Sequence, residues 1–276
     1  MVSSLNTPMR VIFTITFFLI LGKGNGQSLR FSEDVTKDSF FIHVVNEFYS
    51  PAYLRFDPKE ALKELMRIPE EIVIQANDSL SNVVALSRNV DPESDTVNWK
   101  KYFDVSASLG DPYHSVHNDS FTYTLPFPKG KSYSIMQTWN GRFSHRSVES
   151  RYAIDFKMPI GDTICAARGG IVARIEKDFT ENGGRSFRNK ANEIVILHDD
   201  GTLGFYVHLK HMGVLVAPGD TVLTGQPIGL SGNTGFSTKP HLHFVVREAP
   251  KTAVPIYFKG YPGQKLRRKK RYMNRF

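Results

Sequence analysis

From Ser132 onward the chain is a succession of short apolar or alternating runs, each closed by a glycine turn. That rhythm leaves room for little except antiparallel β structure. Ile171-Val172-Ala173-Arg174-Ile175, Glu193-Ile194-Val195-Ile196-Leu197 and Gly204-Phe205-Tyr206-Val207-His208-Leu209 have strand length and strand composition. Between and around them Gly169-Gly170, Asn182-Gly183-Gly184, Asp200-Gly201, Pro218-Gly219-Asp220 and Gly232-Asn233 supply the backbone freedom that tight turns need. No segment here is long or periodic enough for a sizeable helix.

The first half reads the same way, with shorter pieces. Phe40–Val45, Ala52–Phe56, Glu71–Gln75 and Asn82–Leu86 have the pattern of strands, and their even spacing suggests a small β-sandwich. Asp57 followed by Pro58 suggests the start of a short helix running to Leu65. Residues 118–131 form a Pro- and Gly-punctuated connection. The expected organisation is a leader over residues 1–27, an N-terminal β-rich unit over 28–122, a second β-rich unit over 123–258 and a basic tail over 259–276. His43, His114 and His117 are assigned structural or surface roles.

Composition narrows the setting. An apolar fraction of 41% in 276 residues excludes a disordered chain. Arg10, the apolar run 11–21 and the small polar stretch 22–27 have the layout of a secretory signal peptide, with an uncleaved anchor as the alternative. The mature protein is therefore expected outside the cytoplasm, in a periplasm or the extracellular space. Cys165 is the single cysteine, so no internal disulfide framework exists; within Thr163-Ile164-Cys165-Ala166-Ala167 it reads as a core residue. Of the net charge of +8, seven positive charges lie at Lys265, Arg267, Arg268, Lys269, Lys270, Arg271 and Arg275. Such a block is expected to be solvated and mobile and to favour anionic polymers or headgroups. Export and the lack of interleaved aromatics argue against nucleic acid.

The chemistry-bearing residues cluster in the second unit. In Thr238-Lys239-Pro240-His241-Leu242-His243-Phe244, strand alternation turns both imidazoles to one face and Leu242 to the other. A neutral imidazole is the commonest metal ligand and a frequent acid–base group. Across Tyr152-Ala153-Ile154-Asp155-Phe156 the same alternation places Tyr152, Ile154 and Phe156 on one face and Ala153 and Asp155 on the other. A carboxylate set against a core needs a cation, which Arg151, Arg168 or a metal ion would supply. His145, in Phe143-Ser144-His145-Arg146, and His208 complete a set of five candidates: His145, Asp155, His208, His241 and His243. Spacing alone does not say which of His241 and His243 would bind a metal. His198 is read as structural, His211 as exposed, and Gly229–Gly235 as a tight loop presenting the His-Leu-His strand.

Residues 123–248 resemble the lysostaphin/LytM-type family of zinc endopeptidases. The resemblance rests on seven segments in order: Ser144-His145 with Tyr152–Phe156; Gly161–Ala167 with Gly169–Val172; His198–Gly201; Tyr206–Leu209; Gly219–Val222 with Gly225–Gly229; Gly232–Gly235; and Pro240–Phe244. It implies a mostly β fold, with an N-terminal β-sandwich-like domain followed by an antiparallel β barrel-sandwich peptidase domain. It implies Zn2+ held by His145, Asp155 and His243, with a water in the open position. His208 and His241 would flank that water as the catalytic pair, one removing a proton and both stabilising the oxyanion. Glu149 is an alternative base that no motif supports. The implied substrate is the peptide cross-links of peptidoglycan, cut by a monomeric enzyme, with the basic tail holding anionic envelope polymers.

The chain departs from the family pattern twice. Many members carry the first histidine four residues before the aspartate, where this chain has Arg151; here Ser144-His145 matches a longer-spaced subgroup in which a loop returns the histidine to the metal. Lys239 stands where glycine is common and alters the cleft rim. Two other readings compete. One is a zinc-free relative acting as a scaffold for other wall hydrolases. The other is a biotinyl/lipoyl-like hammerhead, suggested by Pro218–Gly229 but lacking the modified lysine.

Overall fold

The computed structural model describes residues 17–19, 28–59, 66–90 and 98–276. The strands of the first half are β1 (Phe17–Leu19), β2 (Leu29–Val35), β3 (Ser39–Asn46), β4 (Ala52–Pro58), β5 (Met66–Arg67), β6 (Glu71–Ile74), β7 (Ser79–Ser87) and β8 (Phe103–Leu109). They form two antiparallel sheets, β1-β2-β3-β7-β5 and β6-β4-β8. Alternation along β3 buries Phe40, Ile42 and Val44 between them, against Leu54 and Phe56 of β4 and Leu86 of β7. The expected strands are all present. The expected helix start is not: Asp57 and Pro58 end β4 instead, paired with Asp104 and Phe103, and residues 60–65 lie outside the described residues. Most of the expected leader also lies outside them; Phe17–Leu19 pair with Leu29–Phe31.

The second half contributes β9 (Thr122–Tyr123), β10 (Ser132–Gln137), β11 (Ile154–Lys157), β12 (Thr163–Cys165), β13 (Gly170–Glu176), β14 (Glu193–Leu197), β15 (Leu203–Val207), β16 (Leu209–Val214), β17 (Thr221–Val222), β18 (Pro227–Ser231), β19 (Leu242–Glu248), β20 (Thr252–Ala253), β21 (Tyr257–Phe258) and β22 (Arg271–Met273). Its backbone is an open sheet in the order β17-β13-β14-β15-β19-β11-β10-β22, with β20 on the side of β19. One face carries Ile154, Phe156, Val172, Ile194, Ile196, Tyr206, Leu242 and Phe244. These pack against Ile164 and Ile228 of the small sheet β12-β18-β16. The buried Tyr206 hydroxyl accepts a 2.8 Å hydrogen bond from the Ala167 backbone N–H, so the core leaves no cost at that oxygen. Cys165 is a buried free thiol whose pKa burial pushes up to about 11, so it is a packing residue.

The opposite face of the same sheet carries Ala153, Ala173, Val195, Leu203, Phe205 and Val245. It is covered by the N-terminal unit, in one continuous apolar cluster with Phe48, Leu54, Phe103 and Leu109. Tyr49 N–H also donates to Ala173 O across the contact, at 3.3 Å. The alternation expected over Tyr152–Phe156 holds from Ala153 onward. It fails at Tyr152, which lies before β11 begins and packs against the same apolar cluster as Ala153 rather than the main core, with its ring edge-on to Trp139.

The basic tail departs from expectation. Its end forms β22, paired to β10 through Ser132↔Met273, Tyr133↔Tyr272 and Ser134↔Arg271. Leu266 and Tyr272 are buried in the main core, and Asn274 donates to Phe127 O and Leu125 O. Apolar residues spaced between the charges give the segment a face to bury, while all seven cationic side chains remain exposed. Among the described residues no helix is long and apolar enough to cross a membrane.

Candidate metal centre

Three neighbouring strands bring the candidate ligands together. Asp155 on β11 is directly opposite His243 on β19, which is opposite Val207 on β15. Directly opposed residues share a sheet face, so Asp155 and His243 project together. His145 arrives from the loop after β10. Its Nε2 lies 3.2 Å from Asp155 Oδ1, and His243 Nδ1 lies 2.9 Å from the same oxygen. One ligand atom from each of His145, Asp155 and His243 falls within 4.8 Å of the others. His241 enters from just before β19, with Nε2 3.8 Å from Asp155 Oδ1. Its ring centre is 4.7 Å from that of His208, and His208 is 5.8 Å from His243. All five residues singled out in the sequence therefore meet at one place.

His208 reaches it by a route that alternation does not describe. In an unbroken strand it would point away from the face that Val207 shares with His243. Instead it lies between β15 and β16 with φ of 70°, a left-handed backbone that histidine adopts only at a cost. That kink turns the imidazole into the cluster. Gly235, also left-handed, closes the loop before His241; a Cβ there would lie 2.5 Å from Ala191 Cβ.

The hydrogen-bond partners set the tautomers. A carbonyl only accepts, so a ring nitrogen facing one carries the proton. His145 Nδ1 donates to Thr138 O at 3.1 Å, His208 Nδ1 to Thr234 O at 2.7 Å, and His241 Nδ1 to Lys239 O at 2.7 Å. When neutral, each of these rings therefore presents a bare Nε2 lone pair to the cluster. These three carbonyls were invisible in the sequence, because a backbone acceptor has no residue signature. Lys239 acts here through its main chain, while its side chain is exposed.

The electrostatics ask for a cation. Burial alone would raise the Asp155 pKa, but the His145 and His243 rings at hydrogen-bond distance and the neighbouring His241 outweigh it and hold the carboxyl well below its ordinary range. Neither arginine expected as a partner supplies the charge. Arg168 is engaged by Asp199 and Asp200, and Arg151 lies over the Tyr152 ring. With His145 Nδ1–H committed to Thr138, its Nε2 lone pair faces a carboxylate oxygen at 3.2 Å. Two acceptors at that distance repel unless a proton or metal ion lies between them. Two imidazoles and one carboxylate, convergent and largely buried, make a donor set that could hold zinc with an open fourth position, and the residues fit that ion. Burial and the adjacent His241 and His243 push His208 down to about 3, which favours its neutral form. Burial, opposed by Asp155, also lowers His243.

The remaining histidines lie apart from this cluster. His198 is buried, donates from Nδ1 to Gly169 O at 2.9 Å and is pushed down by burial to about 4. His43 approaches Asp34, His114 approaches Asp111, His117 approaches Asp119, and His211 is exposed. Glu149 offers its backbone carbonyl to Arg247 Nε and is not among the residues grouped as a possible metal site.

Residues 149–255 match the model of Peptidase family M23. The chain is similar to the glycyl-glycine endopeptidase ALE-1 of Staphylococcus capitis, with 41% identity over 34% of this chain and 24% of that protein. It is similar to the peptidoglycan DD-endopeptidase ShyA of Vibrio cholerae, with 32% identity over 51% of this chain and 32% of that protein. Among solved structures it is similar to the catalytic domain of lysostaphin from Staphylococcus simulans, with 31% identity, a TM-score of 0.33, and coverage of 45% of this chain and 87% of that one. The chain spans no more than about a third of the length of these curated relatives.

Proposed function

From the premise that this chain carries a peptidase family M23 domain, we propose that it is an exported zinc endopeptidase that hydrolyses the peptide cross-links of peptidoglycan. The observation that supports it most is the convergence of His145, Asp155 and His243 with two further imidazoles beside them. Zinc held by those three residues would supply Lewis acidity toward the scissile carbonyl and lower the pKa of a water.

The protein's own groups divide the rest of the work. His208 and His241 both turn a lone pair at Nε2 toward the cluster, so each accepts a hydrogen bond from an attacking water. Burial favours the neutral form of His208, which suits it to orienting that water. His241 Nε2 lies 3.8 Å from Asp155 Oδ1, beside the proposed metal ligands. One of the two imidazoles takes the proton of the water, and the resulting imidazolium N–H can donate to the carbonyl oxygen as negative charge grows there. His208→Ala and His241→Ala are each expected to keep one zinc per chain and to lose about 10²- to 10⁴-fold in turnover.

The test is to incubate the purified protein with cell-wall sacculi, with and without a zinc chelator, and to weigh the released fragments. Chelator-sensitive release of peptide-cut muropeptides is expected. Stoichiometric zinc with no fragments released would instead favour a binding scaffold.

The relatives named for peptidoglycan cleavage and the signal-like N-terminal residues support work outside the cytoplasm, in a periplasm or beyond the cell. The seven exposed cations of the tail support retention on anionic envelope polymers. Because β22 belongs to the core, deletion is a poor test of this. Changing Arg267, Arg268, Lys269 and Lys270 to glutamine is expected to leave the melting temperature unchanged and to lower retention on sacculi in low salt. Equal retention would remove the tail from the account.

A further inference from the structure

The long interval between His145 and Asp155 poses a structural question: what holds a ten-residue detour in the one shape that returns the imidazole to the carboxylate? We infer that Gln137 is the positioning residue for this centre, acting on Asp155 and on the loop that carries His145. The inference rests on the metal-binding reading above and assigns a part of the site that lies outside the ligand set.

Gln137 closes β10 at a register shift between Ile135 and Gln137, where it stands opposite Asp155. A bulge of this kind re-aims the side chain that follows it. The amide then makes three contacts. Its Nε2 donates to Asp155 Oδ2 at 3.3 Å and to Ser144 Oγ at 2.7 Å, and its Oε1 accepts from the Phe143 backbone N–H at 3.1 Å. The network fixes the amide orientation, since the reverse would set an oxygen against a carboxylate and an NH2 against an N–H. One planar group thus grips the two residues that immediately precede His145. With its other hydrogen it occupies Oδ2, leaving Oδ1 as the oxygen that faces His145, His241 and His243.

The loop is shaped around this side chain. Gly141 lies against it so closely that a Cβ would fall 2.2 Å from Gln137 Cγ and 2.6 Å from Cδ. Gly141 O also accepts the His145 backbone N–H at 3.1 Å, and Ser150 Oγ donates to Ser144 O at 2.9 Å. Gly141 is therefore the contact that lets the amide lie under the loop. Partners that orient metal ligands typically matter 10- to 100-fold for metal affinity.

The test measures zinc affinity by competition with a chromophoric chelator, together with the visible spectrum of the Co2+-substituted protein. Gln137→Met keeps the length and loses all three hydrogen bonds. It is expected to weaken zinc by about 10- to 100-fold and to shift the Co2+ bands, with the melting temperature of the metal-free protein near that of the parent. Gly141→Ala, which reaches His145 only through a main-chain hydrogen bond that the substitution keeps, is expected to do the same by displacing the amide. The double variant is expected to be no worse than either single one, because both act through one contact. Parental zinc affinity and Co2+ bands in Gln137→Met would overturn the inference, as would effects of the two substitutions that simply add. A parent protein that binds no zinc would instead sink the metal reading beneath it, so the two failures are distinguishable.

Discussion

An Asp155→Ala protein is expected to emerge from purification without zinc and without activity on sacculi. Among the described residues Asp155 is the only carboxylate in the cluster, and its Oδ1 is the atom around which His145, His241 and His243 gather. Its removal leaves two imidazoles and no anionic donor, a set that lacks one of the three ligands a catalytic zinc site needs. Loss of an orienting partner costs about 10- to 100-fold in metal affinity, so loss of a ligand must exceed roughly 100-fold. The strand itself should survive, because Ile154 and Phe156 on either side anchor it in the main core. Circular dichroism of the variant should therefore match the parent while metal analysis falls from one zinc per chain toward none. His243→Ala should behave in the same way, in contrast to His208→Ala. One zinc retained in Asp155→Ala would remove this residue from the ligand set and require a different centre.

How much of this centre could be read beforehand follows from where the signal resides. Period-two alternation placed Asp155 and Ala153 on one face, and His241 and His243 together, because side-chain direction in a strand depends on parity alone. The strands of both halves were legible for the same reason. His208 was legible as a residue but not as a geometry. Parity would aim it away, and only the left-handed backbone between β15 and β16 corrects this. The carbonyls of Thr138, Thr234 and Lys239 left no trace, since they act through atoms every residue has. The tail misled because charge dominates its composition. Leu266 and Tyr272 are only two residues among many cations, yet they decide where the segment lies. Asp57-Pro58 misled in the opposite way. A sound helix start was overridden by pairing of β4 with β8 through Pro58↔Phe103, and tertiary pairing outweighs a local cap.

The second large effect concerns the N-terminal β-rich unit over residues 28–122. A fragment covering residues 123–276 is expected to be aggregated or molten when produced alone. The main sheet buries Val195, Leu203, Phe205 and Val245 against the N-terminal unit, on the face that also bears Asp155 and His243. Full burial of such side chains contributes about 1.5–3 kcal/mol each. Exposing all four forfeits roughly 6–12 kcal/mol, which is comparable to the whole stability of an ordinary domain. The exposed patch would also be a continuous apolar surface on a β-sheet, a recognised route to association. Size-exclusion chromatography and binding of a hydrophobic dye should report this directly. Within the full chain, Val245→Asp sets an unpaired charge in the same contact and should cost more than about 4 kcal/mol in a denaturant titration. A monomeric fragment that melts like the full chain and cleaves sacculi at the same rate would show that the contact is dispensable. If the fragment fails as expected, the N-terminal unit is a structural part of the sheet that carries Asp155 and His243.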